Sequence, residues 1–329
     1  MFRIVSLSPF PSSLVRSFFA PAISKLGIEV EVLTVNKFDM SVFQKELPNA
    51  DFVIGDFSFA IPITAQMADL MQKVKLIQQP STGYDHIDIE ACKRKGIPVA
   101  NIGGANSISV AEYTITVALM LVKRIIYSHN RLLQGTWAQS EMMNVPGELN
   151  GKIWGVIGLG RMGKGVASRA KSLGMSVVYF DTVKFGSDEE SLGVSFRPLL
   201  KLLSESDVIS VHTPLTKETT KLIGERELRM MKPSAVLVNP ARGEIVDEEA
   251  LARATREGWI AGAAVDVFTR EPPPRDHPLI MAAKDGAPLI LTSHIAGATS
   301  ETRQRIIQFA IENVVRVMTG QNAENVVNS

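Results

Sequence analysis

The segment KIWGVIGLGRMGKGVASRAKSLGMSVVYFD, residues 152–181, constrains the fold of this chain more than any other. An apolar β-branched run stops at Gly158-Leu-Gly160-Arg-Met-Gly163, where a helical pattern begins. Gly158 permits a tight turn, Gly160 lets a pyrophosphate approach the backbone, and Gly163 lets the helix pack closely on the strand. The helix N-terminus then offers free N–H groups and the positive end of its dipole to the phosphates. A second apolar run closes on Asp181, at the distance where a carboxylate meets ribose hydroxyls. A bare GxGxxG is often only a turn, but strand, glycines, helix and acid in this order predict a dinucleotide site. Asp181 would accept hydrogen bonds from the ribose of NAD and repel the 2′-phosphate of NADP. The residues after it, Thr182-Val-Lys184, put no arginine beside it, so NAD is expected and NADP disfavoured. Gly158 to Lys164 also fits GxxxxGK, but Gly165 stands where a triphosphate loop needs a hydroxyl for Mg²⁺.

A chain of 329 residues is longer than one hydrophobic core usually serves, which predicts two domains. Short β-branched runs alternate with helical patterns throughout, the signature of βαβ units and parallel sheets. Strands are expected at 3–7, 29–34, 52–54, 75–78 and 98–100 in the first third. A long helix is expected over 109–134, opened by a capping box between Ser109 and Glu112. With the polar stretch 135–151 it reads as a connection between domains. Six further strands are expected at 153–157, 176–180, 208–212, 235–239, 261–265 and 289–292, enough for a complete dinucleotide-binding sheet. A last helical pattern over 301–318 could fold back onto the first domain and make it discontinuous.

The formal net charge of +1 gives no reason to expect nucleic acid or an anionic membrane as partner. A single cysteine, Cys92, allows no internal disulfide and no CxxC zinc pair, which suits a reducing, cytoplasmic setting. The N-terminus reads as a first strand and not as a signal peptide. The most apolar segment, VAEYTITVALMLV, contains Glu112 and falls short of the ~20 residues a membrane-spanning helix needs, so a buried helix is expected.

Ligands of open α/β sheets bind outside the carboxyl ends of the strands. Arg242, Asp266 and His294 all follow or end predicted strands there. Hydride transfer between a nicotinamide and a carbon bearing oxygen needs a cation to hold the substrate, an acid–base group, and a partner to orient that group. Arg242 has the planar fork for a carboxylate. His294 has the titration range of an acid–base group, and Glu271, in REPPPRDHPL, is a candidate to orient it. Each has a plainer reading alone: a surface ion pair, a hydrogen-bonded histidine near the core, a solvated loop carboxylate. Among the other histidines, His86 and His129 look helical, His212 ends a strand, and His277 lies in the proline-rich loop. No HExxH, GxSxG or ligand-spaced His/Asp cluster supports metal or serine-hydrolase chemistry.

Together, STGYDHID, NSISVAEYT, LNGKIWGVIGLGRMGKGVASRAKSLGMSVVYFD, VHTPLTKET, NPARGEIVDEEAL, AAVDVF, EPPPRDHPL and TSHIAGAT resemble the D-isomer-specific 2-hydroxyacid dehydrogenase family over nearly the whole chain. The resemblance implies an α/β fold of two doubly wound parallel-sheet domains with the active site in the cleft between them. A flavodoxin-like substrate domain would span 1–103 and 297–329, and a Rossmann NAD-binding domain 104–296. By the same resemblance Arg242 holds the substrate carboxylate and carbonyl oxygen, His294 exchanges the proton at C2, and Glu271 pairs with it. Backbone N–H groups of Ser81, Thr82 and Gly83 would bind the carboxylate. Arg161 and Met162 would cap the pyrophosphate beside Gly158, Gly160 and Gly163. His212, Thr213 and Pro214 would line the adenine side, Ala241 the nicotinamide ribose, and Asp266 the carboxamide, with Gly297 close by.

The implied activity is NAD-dependent interconversion of a small 2-keto acid, such as glyoxylate or hydroxypyruvate, and its D-2-hydroxy acid. The implied protein is a homodimer without a regulatory C-terminal domain. Ser81, Thr82 and Tyr84 depart from the commoner small and apolar residues of the substrate loop. Glu271 counts against formate oxidation, where glutamine is found. An NAD-binding corepressor and a phosphite dehydrogenase are the alternatives.

Overall fold

The computed structural model describes residues 1–329, apart from the side chain of Asp188. The chain forms two compact units, one of Met1–Asn106 with Ser300–Ser329 and one of Ser107–Thr299.

The first unit is built on β1 (Phe2–Leu7), β2 (Val30–Val35), β3 (Phe52–Ile54), β4 (Leu76–Gln78) and β5 (Val99–Ala100). They pair in parallel in the order β2-β1-β3-β4-β5, the flavodoxin-like order. Alternate residues face opposite sides of the sheet. Ile4, Phe52 and Leu76 meet Phe19 and Val314 on one face, and Val5, Val53 and Ile77 meet Phe43 and Met67 on the other. The helices α1 (Ser12–Ile23), α2 (Met40–Glu46), α3 (Ala65–Leu70) and α4 (Ile89–Arg94) supply those layers together with the C-terminal helix Ser300–Met318. The C-terminal helix is tied in by Asn313, which donates to Gln78 Oε1 at 2.7 Å.

In the second unit, β6 (Ile153–Ile157), β7 (Ser176–Phe180), β8 (Ser195–Phe196), β9 (Val208–Val211), β10 (Val236–Asn239), β11 (Gly262–Val265) and β12 (Leu289–Leu291) form one parallel sheet. Its order is β12-β11-β10-β9-β6-β7-β8, the dinucleotide-binding arrangement with one added strand. The inner strands VISV, VLVN and GAAV are buried at every residue, as strands covered on both faces must be. The helices of this unit are α5 (Ser107–Val122), α6 (Ile125–Leu133), α7 (Gln139–Met142), α8 (Arg161–Ser172), α9 (Gly186–Leu192), α10 (Leu199–Glu205), α11 (Glu225–Met230), α12 (Glu248–Arg256) and α13 (Pro278–Lys284), of which α6 and α7 bury no residue.

Four expectations are corrected. The helix expected over 109–134 is two helices, because Arg124 takes a left-handed φ of 55° between α5 and α6. Its guanidinium there reaches the Ala261 carbonyl and lies over the Tyr127 ring. Ser109 is no capping residue, since the helix starts two residues earlier and its buried hydroxyl donates to the Ala296 carbonyl at 2.7 Å. The second sheet has seven strands, not six, because β8 is two residues long and too short to show an alternating pattern. His86 lies in a turn and not a helix, with its ring edge-on to Phe59. Among the described residues no helix is long and apolar enough to cross a membrane.

Candidate active site

The sheet order reverses between β6 and β9, and the crevice at such a switch point is where open α/β sheets bind ligands. The glycine loop follows β6, and residues 212–214 follow β9. Gly158 adopts a φ of +94°, and a Cβ there would lie 2.8 Å from the His212 carbonyl carbon, so only glycine allows the two loops to touch. At Gly163 a Cβ would sit 2.1 Å from the Gly158 carbonyl oxygen. Gly160 is different: a Cβ there would meet no protein atom within 4 Å, and the space is left free for a ligand. Gly160 caps α8 without a side-chain bond, so Arg161, Met162 and Gly163 open the helix with N–H groups that have no partner within it.

Asp181 faces the same loop. Its Oδ2 accepts the Leu159 N–H at 2.8 Å and its Oδ1 the Thr182 N–H at 2.7 Å. Within β9, Ser210 accepts from the Trp154 indole and meets Nε2 of His212, just past the strand, at 3.0 Å. Loss of solvent pushes the His212 imidazole down to about 3, so it is neutral at physiological pH. The Thr213 hydroxyl is buried without a partner among the described residues, and Pro214 beside it is exposed.

The loops after β10, β11 and β12 carry the second cluster. Asn239, 1% exposed at the end of β10, accepts the Ala241 N–H at 3.1 Å and donates to the Arg242 carbonyl at 2.9 Å. That clamp holds Arg242 in an extended conformation, with Nη1 on the Ala241 carbonyl at 2.7 Å. Asp266 follows β11 and is fully buried. Its carboxylate accepts the Thr292 hydroxyl and the N–H groups of Ile295 at 2.9 Å and Ala296 at 2.8 Å. Its carbonyl accepts the His294 N–H at 2.7 Å. His294 has a φ of 57°, a conformation most side chains avoid, and these bonds on both sides of it hold it there. Asp266 thus shapes the His294 turn, a role not expected from the sequence, and its carboxylate points inward.

Glu271 completes the cluster. Its Oε2 lies 2.8 Å from His294 Nδ1, and its Oε1 accepts the Phe268 N–H at 2.9 Å. Burial raises the Glu271 pKa, but the bonds from His294 and Phe268 and the charges of His294 and Arg242 outweigh it, holding the carboxyl below its usual range. Arg242, Glu271 and His294 therefore come together although 52 residues separate the first from the last (294 − 242). Gly297 follows in the same turn, after buried Ala296.

Ser81, Thr82 and Gly83 belong to the first unit, just past β4. Ser81 donates to the Gly83 carbonyl at 2.7 Å and accepts from Gln79 Nε2 at 2.7 Å. Thr82 donates to Asn106 Oδ1 at 2.8 Å. Sequence reasoning missed Gln79, Asn239 and Thr292, and only Asn239 left a trace, as a polar residue ending an apolar strand before proline.

Residues 115–296 match the NAD-binding domain of the D-isomer-specific 2-hydroxyacid dehydrogenases. The chain belongs to that family. The dehydrogenase is 39% identical over 269 residues to the glyoxylate reductase of Korarchaeum cryptofilum, covering 81% of this chain and 80% of that one. With the glyoxylate reductase of Aeropyrum pernix it shares 41% over 261 residues, 78% and 77% of the two chains. The structure of a D-lactate dehydrogenase from Aquifex aeolicus, complexed with NAD and lactic acid, superposes with a TM-score of 0.84 at 33% identity, covering 99% of each chain. The dehydrogenase is an NAD-dependent oxidoreductase of hydroxy acids, and its own residues fit that cofactor. The open space at Gly160, the uncapped start of α8, the Asp181 carboxylate and the orphaned Thr213 hydroxyl all lie at the switch point.

Close packing at Gly163 makes a prediction. Gly163→Ala forces a methyl group into backbone, which should destabilise the fold by about 1–3 kcal/mol and weaken NADH binding. Thermal melting and a fluorescence titration with NADH check it. Unchanged values in both would mean the loop does not need that approach.

Proposed function

We propose that the enzyme reduces a small 2-keto acid of the glyoxylate or hydroxypyruvate type with NADH, giving the D-2-hydroxy acid. The 2.8 Å bond between Glu271 and His294 Nδ1, with Arg242 acting on the same carboxylate, carries this reading. Bound NADH supplies the hydride. His294 Nε2, opposite the Glu271 bond, donates the proton to the carbonyl oxygen as the hydride reaches C2. Glu271 fixes the tautomer and stands as an ionised partner at Nδ1, its own carboxyl held low by the bond to His294. Arg242 holds the carboxylate through its planar fork and polarises the carbonyl. Backbone N–H groups of Ser81, Thr82 and Gly83 take up the carboxylate.

Residues 104–296 would then be the cofactor domain, and 1–103 with 297–329 the substrate domain. Arg161 and Met162 cap the pyrophosphate through their amides, His212, Thr213 and Pro214 line the adenine side, and Ala241, Asp266 and Gly297 border the nicotinamide. Asp181 selects NAD over NADP by charge. The setting is cytoplasmic and the partner a small molecule, with no nucleic acid. The test is a panel of small 2-keto acids offered with NADH and with NADPH. Turnover of at least one with NADH, and poorer use of NADPH, is expected; none with either would sink the reading.

Protonation can be tested separately. Glu271→Gln removes the charge whose bond and attraction to His294 hold the Glu271 carboxyl low, and reduction needs the protonated ring. Activity that falls as pH rises should therefore fall earlier, so the alkaline limb of the kcat profile moves to lower pH. A limb that stays in place would remove Glu271 from its role.

A homodimer is the expected assembly. Leu133 and Trp137 are each 74% exposed, and Ile125, Leu132, Met143 and Val145 near them in sequence are exposed too. Solvent-exposed apolar side chains in such numbers mark an interaction surface. Sedimentation velocity should give twice the 35.9 kDa chain mass. A monomer at micromolar concentration would contradict this.

A further inference from the structure

Below the Glu271–His294 pair lies a second carboxylate and imidazole joined in the same manner. Glu248 opens α12, and its side chain is 14% exposed. Its Oε1 accepts the Thr269 N–H at 3.0 Å, and its Oε2 lies 3.2 Å from His277 Nε2. His277, 6% exposed, caps α13 by accepting the Leu279 N–H on Nδ1 at 3.4 Å, so Nε2 carries the proton donated to Glu248. Its ring also stands edge-on to Phe268 at 5.4 Å.

Both carboxylates thus grip neighbouring N–H groups of one short loop, Glu271 that of Phe268 and Glu248 that of Thr269. Gly243 closes on the same peptide from another side, since a Cβ there would lie 2.1 Å from Thr269 N. Thr269, Arg270 and Glu271 are themselves exposed, so packing alone does little to place them. The anchor has to come from beneath.

We propose that Glu248 and His277 are positioning residues for the acid–base couple, fixing the Phe268–Thr269 peptide so that Glu271 reaches His294. This rests on the roles given to Glu271 and His294 above. Arg242 is a further charge acting on Glu271, and Asp247, the residue before Glu248, is paired with Lys221 at 3.1 Å. A pair that merely stabilised α12 and α13 would change melting temperature and leave the proton-transfer profile alone.

Two variants separate these cases in the full-length enzyme. Glu248→Gln sets an amide N–H₂ against a donor, either Thr269 N–H or the His277 ring. His277→Asn keeps a capping acceptor for α13 but is too short to reach Glu248. Each should lower kcat for keto-acid reduction by roughly 10- to 10²-fold, the scale of a small misplacement, with KM and NADH affinity within about twofold. Each should also move the alkaline limb to lower pH, in the direction expected for Glu271→Gln. In a Glu271→Gln background neither should move the limb further, because the two act through one residue. If Glu271→Gln moves the limb while both folded variants leave it in place, the positioning role is overturned and the couple stands. A limb that Glu271→Gln itself does not move overturns the couple and the positioning role with it. Should Glu248→Gln fail to fold, His277→Asn decides alone.

Discussion

His294→Ala lowers kcat for 2-keto acid reduction by roughly 10²- to 10⁴-fold, the usual contribution of a positioned acid–base group. NADH affinity stays nearly the same, because the residues proposed for the pyrophosphate, ribose and adenine lie at the loops after β6, β7 and β9, and those that border the nicotinamide, Ala241, Asp266 and Gly297, are left in place. The turn itself should survive the change. Asp266 holds it through the backbone N–H groups of His294, Ile295 and Ala296, which alanine retains. The left-handed φ is no easier for alanine than for histidine, and a small loss of stability is the only structural cost expected. Steady-state kinetics with an NADH titration on the same preparation provide the check. Unchanged turnover would remove His294 from the chemistry.

Arg242→Lys should have the next largest effect, a loss of roughly 10²-fold or more in kcat/KM, with Arg242→Ala losing more. Lysine keeps the charge but replaces a rigid fork by a point charge, which cannot hold a carboxylate through two parallel bonds. The backbone is prepared for arginine by the Asn239 clamp, so the variant should fold and bind NADH normally. Because Arg242 also acts on Glu271, the alanine variant removes one of the influences that keep that carboxyl ionised. A lysine variant with wild-type kcat/KM would show that the fork is not used.

Local patterns carried much of the architecture. Strands 52–54, 153–157 and 176–180 were legible to the residue, since an apolar run bounded by turn chemistry has few other readings. The glycine loop was legible because three glycines, a helix start and an acid must satisfy one geometry together. What escaped depends on partners distant in sequence. Arg124 takes its left-handed turn beside a carbonyl 137 residues away, and Ser109 is drawn from a capping role by a carbonyl 187 residues away. Nothing within either helix records those partners. The bonds from Asp266 into the His294 turn escaped for a related reason: they end on the N–H groups of Ile295 and Ala296, 29 and 30 residues away. The placing of Arg242 and His294 on one edge followed from the strand-end rule, and Glu271 was a candidate from its proline-rich loop and the family resemblance, whereas the Glu248–His277 pair has no signature in spacing at all.

The most direct test follows the hydride itself. The enzyme is given hydroxypyruvate and NADH deuterated at the transferring position, and the product is examined by NMR and chiral chromatography. The account predicts one deuterium at C2 of a product with the D configuration, formed by the wild-type chain and suppressed in His294→Ala. NADH that binds but is not consumed, with no deuterium in any product across the 2-keto acids tried, would contradict it.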